Sequence, residues 1–431
     1  MSRIRIGVFG CSLRGTMLAQ VAQLHPDAEL VALCDCCRPR LELCALKMRA
    51  LGAEVTAYDD FDSFMSHDMD AVILTNYATE HAPYAVRVLD SGRHVISEVV
   101  ACQTLAEGVA LVEAVERNPK CVYAFAENYC CLRGVREMQR LYRNGDIGEF
   151  LHAQGEYVHY LEDDWYRITY GDRNHWRNWV SSSYYCTHSL GPIVEITGAR
   201  PVRLSAYETP NVNRRRVGSA ASDGSSMVCQ MDNGATVHIL RAAFKREPDC
   251  AVWYAVFGSE GMVETDRWGD MPSRVNVFGR SSHQTQSYMP EFPHSDGVSE
   301  EVSGHWGADY YPMHYFLRRI LGRPGGEFSI DVYRALDMSL PGILEYRSIW
   351  EHNRSVDVPD FRDAAAREAF RNDNWSLDSR MAGEGQPDSS SSFGKVDVPD
   401  SVYEAQAERY AAWLNGELEQ CRAKDCVEVV S

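Results

Sequence analysis

A tyrosine and a histidine three residues apart, in Tyr185-Cys-Thr-His-Ser-Leu-Gly-Pro192, are the groups of this chain best suited to moving protons. An imidazole titrates at about 6.5 and exchanges a proton at neutral pH, whereas a phenol, at about 10, does so where a neighbour stabilises its anion. His188 stands just ahead of Ser-Leu-Gly-Pro, where a helix is expected to begin. Tyr157 in Gly155-Glu-Tyr-Val-His159, His175 and Arg177 in Asn174-His-Trp-Arg177, and His305 in Gly304-His-Trp-Gly-Ala-Asp309 extend the set. Each has a plainer reading. Tyr157 and His159 can face a core from an alternating strand, and His175 beside Trp176 and Trp179 can anchor an aromatic surface.

A second group of residues suits a nucleotide. The apolar run Ile4 to Phe9 leads into Gly10-Cys-Ser-Leu-Arg-Gly15, which fills G-x-G-x-x-G with Ser12 at the middle glycine. Glycines at the two ends allow a tight turn, and a helix starting near Leu13, with Arg14 and Gly15 in its first turn, aims free N–H groups at a pyrophosphate. Asp35, twenty residues beyond Gly15, closes the strand Leu30 to Cys34. A carboxylate there accepts from the adenosine ribose and repels a 2′-phosphate, which favours NAD. Cys34-Asp-Cys-Cys37 contains one C-x-x-C, but without a second pair at finger spacing it does not read as a zinc site, and no metal is expected.

The elements that must position these residues fall into four stretches. Short apolar strands (Ile4 to Phe9, Leu30 to Cys34, Ala71 to Leu74, His94 to Ser97, Val122 to Phe125) alternate with helical periodicity at Leu13 to Leu24, Arg40 to Leu51, Pro83 to Ser91 and Leu105 to Val115. That pattern predicts an α/β Rossmann domain with a doubly wound parallel sheet over residues 1–128. After Gly148 the period becomes two, with strands expected at Phe150 to Val158, Val202 to Tyr207, Ser226 to Met231, Ala235 to Ala243, Ala251 to Phe257 and Arg274 to Phe278. Strands without intervening helices predict an α+β domain with a large open antiparallel sheet over 129–365, and Asn233-Gly234 marks a hairpin. Residues 376–400, rich in Ser and Gly, read as a polar linker, and Glu162-Asp163-Asp164 as a solvated loop. Ser401-x-x-Glu404 is a capping box that opens a helical tail over 401–431, expected to pack on the chain's own body.

With 431 residues the chain can build several cores, and a net charge of -18 argues against nucleic acid or an anionic membrane surface as partner. No apolar run reaches the roughly 18 residues of a membrane helix, and the first strand follows the N-terminus directly without a signal-like core. Fourteen cysteines, spread along the chain, read as free thiols of a reducing cytoplasm.

The turn, Asp35, Thr75-Asn-Tyr-Ala-Thr-Glu-His81, His94-Val-Ile-Ser-Glu98 and Gly145-x-Ile-Gly148 occur in an order that resembles the Gfo/Idh/MocA oxidoreductases over roughly residues 3 to 360. That family joins a Rossmann domain to an open sheet and acts on sugars and polyols with a nicotinamide. Its dehydrogenases usually read Glu-Lys-Pro where this chain has Glu98-Val99-Val100, and none of the five lysines (47, 120, 245, 395, 424) replaces that one. Glu98-Val-Val-Ala101, Tyr185 to Pro192, His175-Trp-Arg177 and Gly304 to Asp309 are similar instead to glycoside hydrolase family 109, with departures at Cys186 and Ser189. This resemblance implies bound NAD that oxidises a sugar hydroxyl at C3, elimination of the aglycone, addition of water and return of the same hydride. It places Asn76, His81, Glu98, Val99, Asn128 and Tyr185 at the cofactor. Tyr157, Arg177, Thr187 and His188 fall at the substrate, with His188, Tyr185, Tyr157, His175 and His305 sharing the proton transfers. The expected partner is a small glycoside or sugar, in a homo-oligomer formed through the open sheet. A sugar or cyclitol dehydrogenase lacking the usual lysine, and a nucleotide-binding sensor without turnover, are the alternatives.

Overall fold

Ile6 and Val8 are wholly buried in the strand Ile4–Phe9 (β1), because parallel strands covered by helices on both faces must be apolar throughout. The computed structural model describes residues 3–245, 250–268, 273–279, 285–291 and 304–428, so the ends of the expected first domain and tail, 1–2 and 429–431, lie outside the described residues. Around β1 the N-terminal part runs α1 (Leu13–Leu24), β2 (Ala28–Cys34), α2 (Arg38–Arg49), β3 (Thr56–Tyr58), α3 (Phe61–Met65), β4 (Ala71–Leu74), α4 (His81–Asp90), β5 (His94–Ser97), α5 (Leu105–Arg117) and β6 (Tyr123–Phe125). The sheet is parallel in the order β3-β2-β1-β4-β5-β6, whose strand order reverses between β1 and β4. In such sheets ligands bind at the carboxyl ends of the strands flanking that reversal.

After α6 (Arg133–Arg143) the chain enters the long strand β7 (Phe150–His159), passes through α7 (Trp165–Ile168) and α8 (Thr187–Thr197), and completes a nine-stranded sheet. Its further strands are β8 (Pro201–Glu208), β9 (Gly224–Met231), β10 (Thr236–Ala242), β11 (Cys250–Gly258), β12 (Met262–Thr265), β13 (Val275–Phe278), β14 (Gln286–Tyr288) and β15 (Val356–Asp357), in the order β14-β13-β12-β11-β7-β10-β9-β8-β15. The expected all-antiparallel arrangement needs one correction. β7 and β10 pair in parallel, because β7 lies at the centre and later hairpins add on either side of it. That register sets Arg241 directly beside Tyr157. One face of the sheet receives α8 and the helix Val332–Trp350, which also packs on α5 and so ties the two sheets together.

Residues 376–400 are not a free linker. Leu377 is fully buried, Ser389, Ser390 and Ser391 are buried, and Tyr346 donates its hydroxyl to the Ser389 carbonyl at 2.8 Å. Serine hydroxyls supply the backbone partners that a composition-based reading denies to such a stretch. Glu162 departs from its solvated expectation as well: it is buried and accepts the Tyr160 hydroxyl at 3.0 Å. The helix Asp400–Glu428 packs on the body, with Tyr410, Leu414 and Leu418 against Leu43 and Leu46 of α2.

Candidate active site

The phosphate turn is built by close approach. A Cβ at Gly15 would stand 1.7 Å from the Gly10 carbonyl oxygen, and one at Gly10, whose φ is +103, would stand 2.5 Å from the Thr75 backbone, so only glycine fits either place. Ser12 is no defect in the motif. Its Oγ accepts the Gly15 amide at 3.2 Å and caps α1. Asp35 fastens the turn, accepting the amides of Cys11 at 2.8 Å and Cys37 at 2.7 Å, and pairs with Arg40 at 2.9 Å. Beyond it lies a cavity of about 360 Å³ bordered by Gly10, Asp35, Asn76, Phe61 and Tyr84, of a size and lining suited to an adenosine. It joins, across Ser12 and Asn76, a second cavity of about 130 Å³ that runs past Leu13, Arg14, His81, Glu98 and Val99 to Arg177 and Tyr185. Asn76 Oδ1 and His81 Nε2 are buried without a partner among the described residues, and both residues border this second cavity, as a dinucleotide-binding wall requires. Gly10, Ser12, Leu13, Arg14 and Gly15 would hold the pyrophosphate of NAD and Asp35 its ribose.

Where a lysine is absent after Glu98, an arginine from the turn is present. Arg14 pairs with Glu98 and with Asp309, each at 2.7 Å. Asp309 also accepts Asn128 Nδ2 and meets His305 Nδ1, each at 2.8 Å. Burial pushes the Asp309 carboxyl up, but Arg14 and His305 hold it at about 2, so it stays an anion that ties together Arg14, Asn128 and His305.

His188 has a buried acid behind it. Its Nδ1 lies 2.7 and 2.9 Å from the two oxygens of Glu127, which is fully buried and also accepts the Tyr129 amide at 3.2 Å. A carboxylate only accepts, so Nδ1 carries the proton and Nε2 keeps a free lone pair. The local sequence explains the position. Pro192 has no N–H to give the His188 carbonyl one turn back, and the Tyr254 hydroxyl donates to that carbonyl instead, at 2.6 Å. Gly155 lets β7 touch α8, since a Cβ there would come 2.1 Å from the Ser189 carbonyl oxygen. By alternation Tyr157 and His159 share that face of β7.

The rings of Tyr129, Tyr157 and Tyr185 lie 4.5, 4.8 and 4.8 Å from that of His188. Tyr157 and His159 Nδ1 share a hydrogen bond of 2.8 Å. Burial above all, with the charges of Arg241 and Arg177 adding to it, lowers His159 to about 3, so it is neutral and accepts from the phenol. Burial raises the Tyr185 phenol while Arg177, 5.0 Å from its ring, pulls it back.

Most of the expected site residues therefore converge. Tyr185 and Arg177 border the cavity, His188 and Tyr157 stand one ring further in, and His305, one-third exposed, carries the cluster towards solvent. Three do not fit their expected roles. Thr187 is fully buried in the first turn of α8 and borders none of the described cavities. His175 is buried, kept neutral by that burial and by Arg177, and its Nδ1 accepts the Arg177 amide at 3.2 Å, so it caps a turn and offers only Nε2–H to the cavity. Asn128 acts through Asp309 and borders no described cavity.

Several residues were invisible in the sequence. Glu127 lies sixty-one positions before His188. Tyr170, with φ +58, stacks under the Arg40 guanidinium at 4.1 Å and borders both nucleotide cavities. Tyr410, Trp413 and Leu414 of the C-terminal helix roof the start of α1, closing a third cavity over Ser12, Leu13 and Met17. No local signal connects that tail with the turn.

Residues 4–125 match the family described as the GFO_IDH_MocA oxidoreductase family, NAD-binding Rossmann fold. Over most of its length the chain is similar to proteins named glycosyl hydrolase family 109. One from Porphyromonas gingivalis is 26% identical over 420 residues, 84% of this chain and 85% of the relative; another from Saccharopolyspora erythraea is 25% identical over 395 residues, 83% of each. Among solved structures, a levoglucosan dehydrogenase with NADH and levoglucosan superposes with a TM-score of 0.68 at 17% identity, covering 83% of this chain and all of that one. An inositol dehydrogenase homologue with NAD+ from Azotobacter vinelandii gives 0.67 at 16% identity, covering 83% and 98%. The N-terminal part of the chain thus matches the model of an NAD-binding Rossmann unit of the oxidoreductase family.

Proposed function

We propose that this chain is an NAD-dependent glycosidase that works by oxidation, elimination, hydration and reduction at one sugar ring. The observation that carries this reading is the Glu127–His188 pair beside Tyr185, at the end of a cavity that begins at the dinucleotide turn, with valine where a lysine base is usual. NAD, when bound, supplies reversible removal and return of a hydride at a sugar carbon. His188 Nε2 takes the hydroxyl proton, and Glu127 stabilises the imidazolium so formed. The resulting carbonyl acidifies the neighbouring C–H. The Tyr185 anion, stabilised by Arg177 against its ring, takes that proton, Tyr157 turns its hydroxyl from His159 to protonate the leaving oxygen, and the addition of water returns both protons. Arg177 also donates to sugar hydroxyls.

The relatives named glycosyl hydrolase family 109 support this reaction class. Unpaired thiols at every cysteine whose side chain is described support a reducing, cytoplasmic setting, and no described helix is long and apolar enough to cross a membrane. Exposed Leu151, Tyr207, Val228 and Phe278 on the sheet support a homo-oligomer. The test follows phenol and NADH together with aryl glycosides in deuterated water. Phenol release without net NADH, and deuterium at C2, is the expected result. Stoichiometric NADH from free sugars would make it a dehydrogenase, and neither product despite NAD binding would overturn an enzymatic role.

A further inference from the structure

Beside Tyr157 and Tyr185 lies a small cavity, about 20 Å³, into which Arg177, Arg214 and Arg241 converge. Arg214 and Arg241 are 4% and 5% exposed. Arg241 Nε and Nη1 and Arg214 Nε have no partner, and neither guanidinium has an ion pair among the described residues. A buried guanidinium keeps its proton, so a pair of them without a counterion carries a desolvation cost that a bound anion offsets.

Among the described residues no acid forms an ion pair with either guanidinium. Asp223 lies near enough for its charge to favour the Arg214 cation, but its two oxygens accept the amides of Val212, Asn213 and Arg214 and make no ion pair with the guanidinium. Glu345 lies near Arg241, but burial raises its carboxyl to about 8, which favours the neutral acid, and it makes no ion pair with the guanidinium. Burial and the charge of Arg177 push Arg241 down to about 10, as expected where like charges crowd without a counterion.

The small cavity shares Trp176, Arg177 and Tyr185 with the one that leads to the nucleotide turn, and the register of β7 with β10 puts Arg241 next to Tyr157. A group held there is thus an appendage of the ring that reacts at Tyr185 and His188. So small a space excludes bulky anions, and an arginine fork binds a planar carboxylate, entering from the larger cavity, through two parallel hydrogen bonds. We propose that the substrate is a glycoside of a carboxylated sugar, a uronic-acid type, with its carboxylate between Arg177, Arg214 and Arg241. This rests on the reading of the site as a glycoside-processing centre.

The experiment is calorimetric titration of the NAD-loaded protein with D-glucuronate, D-galacturonate, the parent hexoses and glucuronate methyl ester, with turnover of aryl uronides and aryl hexosides measured alongside. Charge-assisted bonds predict uronate affinity roughly 10- to 100-fold above both the hexose and the ester. Arg241→Met and Arg214→Gln each erase most of that difference and keep or raise Tm, since a buried unpaired charge is removed. The ester comparison needs no variant and decides the matter even if the variants fail to fold. Equal affinity for uronate and ester, or hexosides turned over as well as uronides, overturns the proposal and leaves the glycosidase reading standing. Arginine-dependent uronate binding without uronide turnover does the reverse. Tighter binding of hexose 6-sulfate than of uronate overturns the carboxylate assignment.

Discussion

Replacing Glu127 by Gln is the sharpest probe of the proton-transfer chemistry, because it keeps the shape behind His188 and removes the charge. In the structure both carboxylate oxygens lie within 2.9 Å of His188 Nδ1, and Glu127 is wholly buried. Charge centres about 4 Å apart, at an effective dielectric of about 20, interact by about 4 kcal/mol. That stabilisation exists only when the imidazole has taken the substrate's proton, so it acts on the barrier and scarcely on the ground state. At about 1.4 kcal/mol per decade, 4 kcal/mol is roughly a thousandfold loss of rate. Glu127 borders neither nucleotide cavity, so NAD affinity is expected within a few fold of the parent. Single-turnover absorbance of NADH on mixing with sugar, with NAD titrated separately, reads both quantities. A Glu127→Gln protein within tenfold of the parent rate would refute His188 as the base that takes the hydroxyl proton.

Three further perturbations test the scaffold. Tyr254→Phe leaves the His188 carbonyl without the hydroxyl that stands in for the missing Pro192 amide, and is expected to cost about 1–3 kcal/mol in denaturant unfolding; an unchanged midpoint would remove that explanation. Gly155→Ala drives a methyl towards the Ser189 carbonyl, and turnover should fall more than NAD binding because α8 moves while the turn does not; parent-like kcat would contradict it. Glu345, whose carboxyl is raised from 4.5 to about 8, binds a proton in the folded chain between those values that the unfolded chain has released, so its presence lowers stability as pH rises from about 4.5 to 8. Glu345→Gln should therefore be more stable than the parent by a margin that grows up to pH 8, bounded by about 5 kcal/mol; a margin independent of pH would show that the group is not buried as a neutral acid.

The elements that could be read from the sequence are those whose signals are local. Continuous apolar runs bounded by turn residues gave β1, β4 and β5 to the residue, and the glycine turn placed the start of α1 at Leu13, whereas the capping role of the Ser12 hydroxyl emerged only from the structure. Short pieces such as β3 and α3, with three and five residues, carry too little periodicity to stand out. The site was half legible for the same reason. Tyr185, His188 and Pro192 sit in one stretch, whereas Glu127 reaches His188, and Arg241 reaches Tyr157, only through the tertiary fold. The parallel pairing of β7 with β10 joins strands nearly eighty residues apart and follows from the completed sheet, not from either strand's pattern. Residues 376–400 misled because polarity measures what a segment can bury in oil, and these serines are buried among hydrogen-bonding groups.

The helix Asp400–Glu428 lays Tyr410 and Trp413 over the turn that begins at Gly10, so the first and last described segments of the chain face each other across one cavity. A proteolytic cut near Phe393, an exposed residue, would leave the sheet and turn complete yet unroof the nucleotide. By the same linkage a bound dinucleotide holds the tail down, and amide exchange along residues 400–420 would slow in proportion to cofactor occupancy. Occupancy of the cofactor site is thus legible at the chain's far end, a natural place for a reporter dye that never touches the chemistry.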